Sequence, residues 1–335
     1  MRILLHLLTF FYNICTTGDS FLSNRKGRLV MKSTCVNEVV TQGRSYLDSN
    51  ISIQDCFFSR TVGYNAYGGV IMVTQNSLVL SISNVVFYNC EVSNSNYGGA
   101  IYFSSLNSNL KMVCAYRCKG YYYHFALLET LENNNVEYLS MSLCCYSKST
   151  FYSIALVNGY QKFDNSNCSF NYAAECSGLS IFQQKSLSSS FCNMYSNDVS
   201  GFICMHLFCN PGSLSRANII RNSSPSKGVV YGTGNTGTFT LNECIFSSNQ
   251  NTLFFVLSDR TLIISNCNIN HAYLLNSGNI QTSGSSLTST NSFKFEFYST
   301  KYCLAENPYV GFKHTSQSIY TKKTPVQVIF LCLLF

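Results

Sequence analysis

An aromatic or branched apolar residue recurs along this chain beside Asn, Ser and Cys. The series is Phe58, Phe87, Tyr116, Tyr146, Phe170, Tyr195, Ile219, Phe246 and Ile269, in steps of 23 to 30 residues. A unit this short cannot bury its own apolar face, so it has to stack on copies of itself. Two further marks travel with the first. A small-residue and apolar tract follows the anchor, clearest as Gly68-Gly69-Val70-Ile71 and Gly98-Gly99-Ala100-Ile101. A polar–apolar alternation then precedes the next anchor, as in Leu78-Val79-Leu80-Ser81-Ile82 and Leu262-Ile263-Ile264.

Short runs of period two, with no stretch of helical period between them, predict strands. The fold expected is all-β: a single-stranded parallel β-helix solenoid. It should hold about ten coils of 23–30 residues, with three short strands each, over residues 19–303. Each strand should pair with its equivalent one coil away, at roughly 4.8 Å. Only 4 prolines interrupt the chain, which suits ladders that need every backbone N–H. Abundant Asn and Ser suit tight corners, where Asn tolerates left-handed backbone. The Leu-x-x-Leu-x-Leu spacing of a leucine-rich solenoid is absent. A β-sandwich array would not keep three marks in one order.

Phe246-Ser247-Ser248-Asn249 matches F-x-x-N, and Gly98-Gly99-Ala100-Ile101 matches G-G-A-[ILV]. With these motifs the chain resembles the polymorphic outer-membrane-protein repeats and the pectin-lyase-like surface families of unicellular eukaryotes. The resemblance covers roughly residues 28 to 300. It implies a right-handed coil and a secreted or surface-displayed protein, often adhesive.

The ends differ from the repeat. Arg2, the apolar run from Ile3 to Tyr12 and the small residues near Thr17 read as a signal peptide over 1–18. Three sequons, at Asn50, Asn167 and Asn222, agree with secretion and are glycosylation candidates. Residues 304–325 read as a polar stalk or spacer, and 326–335 as an apolar tail. A bilayer needs about 20 apolar residues, so the tail is a truncated membrane anchor, a lipid-anchor signal or a cap on the last coil. Membrane attachment is therefore one expectation for it. Net charge is +7, but the basic residues are scattered, and no stripe of Lys and Arg with interleaved aromatics marks a nucleic-acid partner. The cluster Arg25, Lys26, Arg28 and Lys32 reads as a solvated segment.

Seventeen cysteines are present. Cys56, Cys144, Cys168, Cys244 and Cys267 each precede an anchor by two, which predicts one inward column. Cys144 with Cys168, and Cys244 with Cys267, are then disulfide candidates between neighbouring coils. A ladder of buried free thiols is the equal alternative. Cys114-x3-Cys118 and Cys204-x4-Cys209 have loosely metal-like spacing without a matching His pair, so no metal or other cofactor is expected.

Carbohydrate-active enzymes on this fold need converging carboxylates. Asp55 and Glu243 share an offset, but they are seven coils apart, more than roughly 30 Å. Glu129, Glu132 and Glu137 read as a solvated turn, and His124, His206 and His271 as isolated structural residues. Tyr121, Tyr122 and Tyr123 are the binding candidates: stacked rings could dock a sugar or a partner protein. The alternative is that alternate rings are core and the others shield an edge. The functional expectation is a non-catalytic secreted or cell-surface protein that binds glycans or surface and matrix proteins. The rival is an enzyme of the pectin-lyase-like class.

Overall fold

The computed structural model describes residues 34–305 apart from internal stretches. The main ones are 65–68, 94–96, 145–150, 200–202, 234–236, 257–259, 271–275, 286–291 and 295–302. The expected signal segment and tail, Tyr146 and His271 lie outside the described residues. The architecture is an all-β parallel β-solenoid. It makes about seven complete turns, where the sequence predicts ten.

A representative coil holds Tyr160–Asp164, Asn167–Ser169, Tyr172–Ala173 and Cys176–Gln184, here called the first to fourth sides. Each pairs in parallel with its equivalent in the next coil: Ser186–Ser190, Asn193–Tyr195, Asp198–Val199 and Ile203–Cys209. The coil thus has four strands instead of the three expected. The third side is only two residues long, too short to show a period of two.

Corners separate the sides. A left-handed residue stands between the first and second sides in each coil, among them Asp55, Asn84, Met112, Asn165, Phe191 and Glu243, with φ from 48° to 56°. A second corner repeats at Arg60, Asn89, Arg117, Leu143, Phe170, Ser196, Arg221 and Ser248. Such backbone costs an ordinary L-residue roughly 1–2 kcal/mol. Neighbouring coils supply the compensation. The N–H of Arg60 donates to the Tyr88 carbonyl at 2.8 Å, Asn89 to Tyr116 at 2.8 Å, and Phe170 to Tyr195 at 2.9 Å.

The inward column of the second side reads Phe58, Phe87, Ala115, Met141, Cys168, Met194, Ile219, Phe246 and Ile269. Phe58 and Phe87 stack at 5.1 Å with 6° between their planes. This corrects the anchor series in its middle. Tyr116 and Tyr195 stand one position later and point outward, and Phe170 is itself the second corner. The largest aromatic residue of a unit is a poor guide to facing where small or sulfur-containing residues fill the core.

Three residues after each inward anchor stands a buried column: Thr61, Cys90, Cys118, Cys144, Asn171, Asn197, Asn222 and Asn249. Its second half is a closed asparagine ladder. Asn171 Nδ2 donates to Asn197 Oδ1 at 3.1 Å, Asn197 to Asn222 at 3.1 Å, and Asn222 to Asn249 at 3.2 Å. Each Oδ1 also accepts the backbone N–H one coil back, from Cys144, Asn171, Asn197 and Asn222 in turn. Each Nδ2 reaches a backbone carbonyl as well, such as Cys168 O for Asn197 at 2.8 Å. The Asn of the F-x-x-N motif is this ladder residue.

Two described parts of the late segment attach to the second side. Phe293 N donates to Asn218 Oδ1 at 3.0 Å, and Asn218 Nδ2 donates to Phe293 O at 2.8 Å. Ten residues on, Cys303 forms a disulfide with Cys114 on the same second side. Phe293 and Cys303 therefore both attach to the second side. The outward polar residues of this side, Asn167, Asn193 and Asn218, are fully buried.

Replacing Asn197 with Ala removes the acceptor of two N–H groups and a donor to two oxygens, all buried. Each buried group left unpaired costs about 1–3 kcal/mol, so Asn197→Ala should lower stability by ~3 kcal/mol or more in urea unfolding. A loss below about 1 kcal/mol would show that the ladder is dispensable.

Candidate functional site

The fourth side carries the most distinctive surface. Its inward residues Ile101, Ala126, Ile154, Leu179, Met205 and Val230 line the core. Its outward row runs Tyr102, Leu127, Ala155, Ser180, His206 and Tyr231 in register. A second outward row, nearer the start of the strands, holds Tyr123, Tyr152 and Cys176.

The G-G-A-I motif brings the chain into this side. Gly98 is left-handed at φ +66°, and a β-carbon on Gly99 would overlap the His124 carbonyl one coil away. Only glycine lets the coils close here. Tyr121-Tyr122-Tyr123 enters the next strand beside that point.

The rings form a continuous strip. Tyr97 stacks on Tyr122 at 4.7 Å, and Tyr122 on Phe151 at 5.1 Å. Tyr123 stacks on Tyr152 at 5.6 Å, and Tyr152 meets Phe182 edge-on at 5.2 Å. Phe182 meets His206 at 4.8 Å, and His206 stacks on Tyr231 at 5.3 Å. From Tyr102 to Tyr231 the strip crosses five coil steps, ~24 Å at ~4.8 Å each. Tyr121, at 36% relative exposure, is its most accessible ring; the rings from Tyr97 to Phe182 are half-buried, and His206 and Tyr231 are buried.

All three predicted tyrosines thus lie on the outer face, and none joins the core. His124 is buried behind them and held neutral, its pKa pushed down to about 3 by burial. Sequence reading missed Tyr97, Phe151, Tyr152, Phe182, His206 and Tyr231. The distances that join them run across coils, between residues 24 to 30 apart in the chain. A correct register would have been the only signal.

Two carboxylates edge the strip. Glu129 follows Tyr123 in the strand Tyr123–Ser142, and accepts Ser104 Oγ at 3.1 Å and Asn158 Nδ2 at 3.2 Å. Glu175 immediately precedes Cys176, the register partner of Tyr152. Burial, then the Glu175 carboxylate as acceptor and charge, raises the Tyr152 pKa. Burial first, and Tyr97, Glu129 and Glu175 among the charges, raises that of Tyr123. Glu129, Glu132 and Glu137 sit in this long strand, not in the solvated turn expected for them, and Glu137 pairs with Lys162.

Asp55 and Glu243 do share one corner column, seven coil steps apart. No group of three or more His, Cys, Asp or Glu able to hold a metal forms among the described residues. Cys114 and Cys118 face opposite ways: Cys114 outward to its disulfide, Cys118 into the buried column. The side chains of Cys204 and Cys209 lie outside the described residues.

The four predicted disulfide cysteines occupy three columns instead of one. Cys144 stands in the second-corner column and Cys168 in the anchor column, and both are buried free thiols. Cys244 and Cys267 do share a column, with Cys56 and Cys192. They are also free, and Cys267 Sγ accepts the Cys244 N–H at 3.3 Å. Burial pushes the thiols of Cys90, Cys118, Cys168 and Cys244 up, and those of Cys176 and Cys192 to about 12. Neutral buried thiols are poor nucleophiles.

Of the sequons, Asn50 is exposed, whereas Asn167 and Asn222 are fully buried, Asn222 within the ladder. A folded coil has no room for a glycan at either of those two.

No family model matches this chain, and neither does any curated protein or solved structure.

Alkylation of the folded protein, followed by denaturation and a second label, should leave Cys114 and Cys303 as one cross-linked peptide pair. Cys144, Cys168, Cys244 and Cys267 should take only the second label. A Cys144–Cys168 or Cys244–Cys267 peptide would contradict the free-thiol columns. Glycopeptide mapping of protein secreted from eukaryotic cells should find sugar at Asn50 and none at Asn167 or Asn222. Occupancy at Asn222 would mean that the ladder does not form.

Proposed function

We propose that this protein is a non-catalytic secreted or cell-surface β-helix protein that binds glycans along the aromatic strip of its fourth side. The observation that carries this reading is the stacked series Tyr97, Tyr122, Phe151 and Tyr123, Tyr152 on one outer face. Aromatic rings bury large areas with few rotamers to freeze, and their faces pack well against the C–H faces of sugar rings. Its half-buried part, from Tyr97 to Phe182, crosses three coil steps, ~14 Å, and so faces more than one sugar unit.

Three features support the location. The Cys114–Cys303 bond suits an oxidising compartment. The first residues read as a signal peptide, and the last ten as a membrane or lipid attachment. The G-G-A-I and F-x-x-N motifs, each with a defined structural task here, favour kinship with pectin-lyase-like surface proteins. Surface or matrix proteins are the second class of partner on this reading.

The enzyme alternative needs two carboxylates facing each other across a scissile bond. Asp55 and Glu243 are ~34 Å apart at ~4.8 Å per coil, so they do not meet this need. Glu129 and Glu175 are the acids it would have to use.

The test is a glycan panel read by both binding and product release. Tyr122→Ala should weaken glycan binding about tenfold, equivalent to ~1.4 kcal/mol, with unchanged melting and no released product. Release of shortened sugars that Glu129→Gln or Glu175→Gln abolishes would establish the enzyme instead. Unchanged binding by the Tyr122 variant would move the site off the strip.

A further inference from the structure

We propose that the aromatic strip selects a polymer of amino sugars bearing free ammonium groups over its N-acetylated counterpart. The proposal rests on the glycan-binding reading above and adds the sign of the ligand's charge. It rests on the combination of stacked rings with two carboxylates that have no Lys or Arg partner among the described residues.

Four of the other described acids have a cation partner, whereas Asp55 and Glu132 are met by amides of Asn84 and Asn107. Glu91 meets Lys119 at 3.3 Å, Glu243 meets Arg216 at 2.7 Å, and Lys162 bridges Glu137 and Asp164. Glu129 and Glu175 have no Lys or Arg partner among the described residues. Polar neighbours hold them in place without bringing an opposite charge: Ser104 and Asn158 donate to Glu129, and Glu175 lies beside the Tyr152 hydroxyl.

The rings add to the effect. The face of an aromatic ring carries negative charge, and a cation above it gains about 0.5–2 kcal/mol according to its desolvation. Tyr121, the most exposed ring of the cluster, stacks on neither neighbour, standing at 80° to Tyr122 and 63° to Phe151. A neutral sugar would use the rings alone, and an acidic sugar would be repelled by both carboxylates. A sugar with an ammonium group uses the rings for its C–H face and the carboxylates for its charge. Its repetition along a chain matches a strip that repeats along the solenoid axis. A lysine-rich protein segment would satisfy the charge, but it brings no flat apolar face to stack.

The experiment compares two probes of equal length and linkage: β-1,4-linked glucosamine oligomers and their fully N-acetylated forms. Binding is measured by calorimetry on the whole chain, at a pH where the amines are protonated, and at low and high salt. The glucosamine oligomer should bind at least about tenfold tighter, and salt should shrink that margin. Glu175→Gln and Glu129→Gln should each reduce the preference severalfold while leaving the acetylated oligomer's affinity unchanged. Glu243→Gln, on a remote exposed ion pair, should change neither. Equal binding of the two oligomers, unaffected by the Glu variants, would overturn the charge selection and leave the glycan reading standing. Binding of neither would overturn both. Binding of polylysine by the same face, without either oligomer, would replace the amino sugar with a basic protein partner.

Discussion

The interaction on which the rest depends is the hydrogen bond from a corner N–H in one coil to a carbonyl in the next. Two corners in each coil take left-handed backbone at residues as unsuited to it as Met112, Leu143, Phe170 and Phe191. In isolation those conformations would relax. They persist because the strands on both sides of each corner are already paired with neighbouring coils, so the corner cannot open alone. The sides stay flat and in register, and every residue at a given offset is forced into one column.

Columns turn residue choice into a cooperative matter. An asparagine at the second corner can hold its neighbour only if the next coil has one too. Asn171, Asn197, Asn222 and Asn249 meet that condition, and every donor and acceptor between them is used. In the earlier coils the same place holds Cys90, Cys118 and Cys144, which fill the volume and ask for little: a thiol donates weakly to a carbonyl, as Cys90 does to Phe58 at 3.7 Å. A mixed column would leave an amide without its partner, in a place where an unpaired polar group costs more than a hydrogen bond returns. The segregation of Cys and Asn into two blocks is the arrangement that avoids this.

The solenoid was legible from the sequence because its marks are spaced at coil length and do not depend on facing. The G-G-A-I and F-x-x-N positions were legible because each answers one steric or hydrogen-bonding demand. Facing was not legible. Phe87, Ala115 and Met141 follow one another in the core, so the eye takes Tyr116 for the anchor and slips by one residue. In a strand, that slip exchanges inside for outside. Taking Tyr146 for Met141 and Phe170 for Cys168 likewise put Cys144 and Cys168 into one supposed column when they belong to two. The aromatic strip was only partly visible for the same reason. Tyr121, Tyr122 and Tyr123 are adjacent in the chain, whereas Tyr97, Phe151 and Tyr152 reach them only through the stacking of coils.

The two outer faces then differ in kind for a physical reason. The second side presents Asn167, Asn193 and Asn218, amides that reward a backbone laid across them, and Asn218 holds both the N–H and the carbonyl of Phe293. That side is suited to chain, and the chain's own late segment is fixed there at Phe293 and again at Cys303. The fourth side presents rings with carboxylates at their edge. A passing backbone gains little from ring faces, because its N–H and C=O groups would lose water without replacement. A ligand with a flat C–H face and a charge at its rim loses neither. The polar character of one side and the aromatic character of the other thus follow from a single rule: each face must return the hydrogen bonds and charge partners that its occupant gives up.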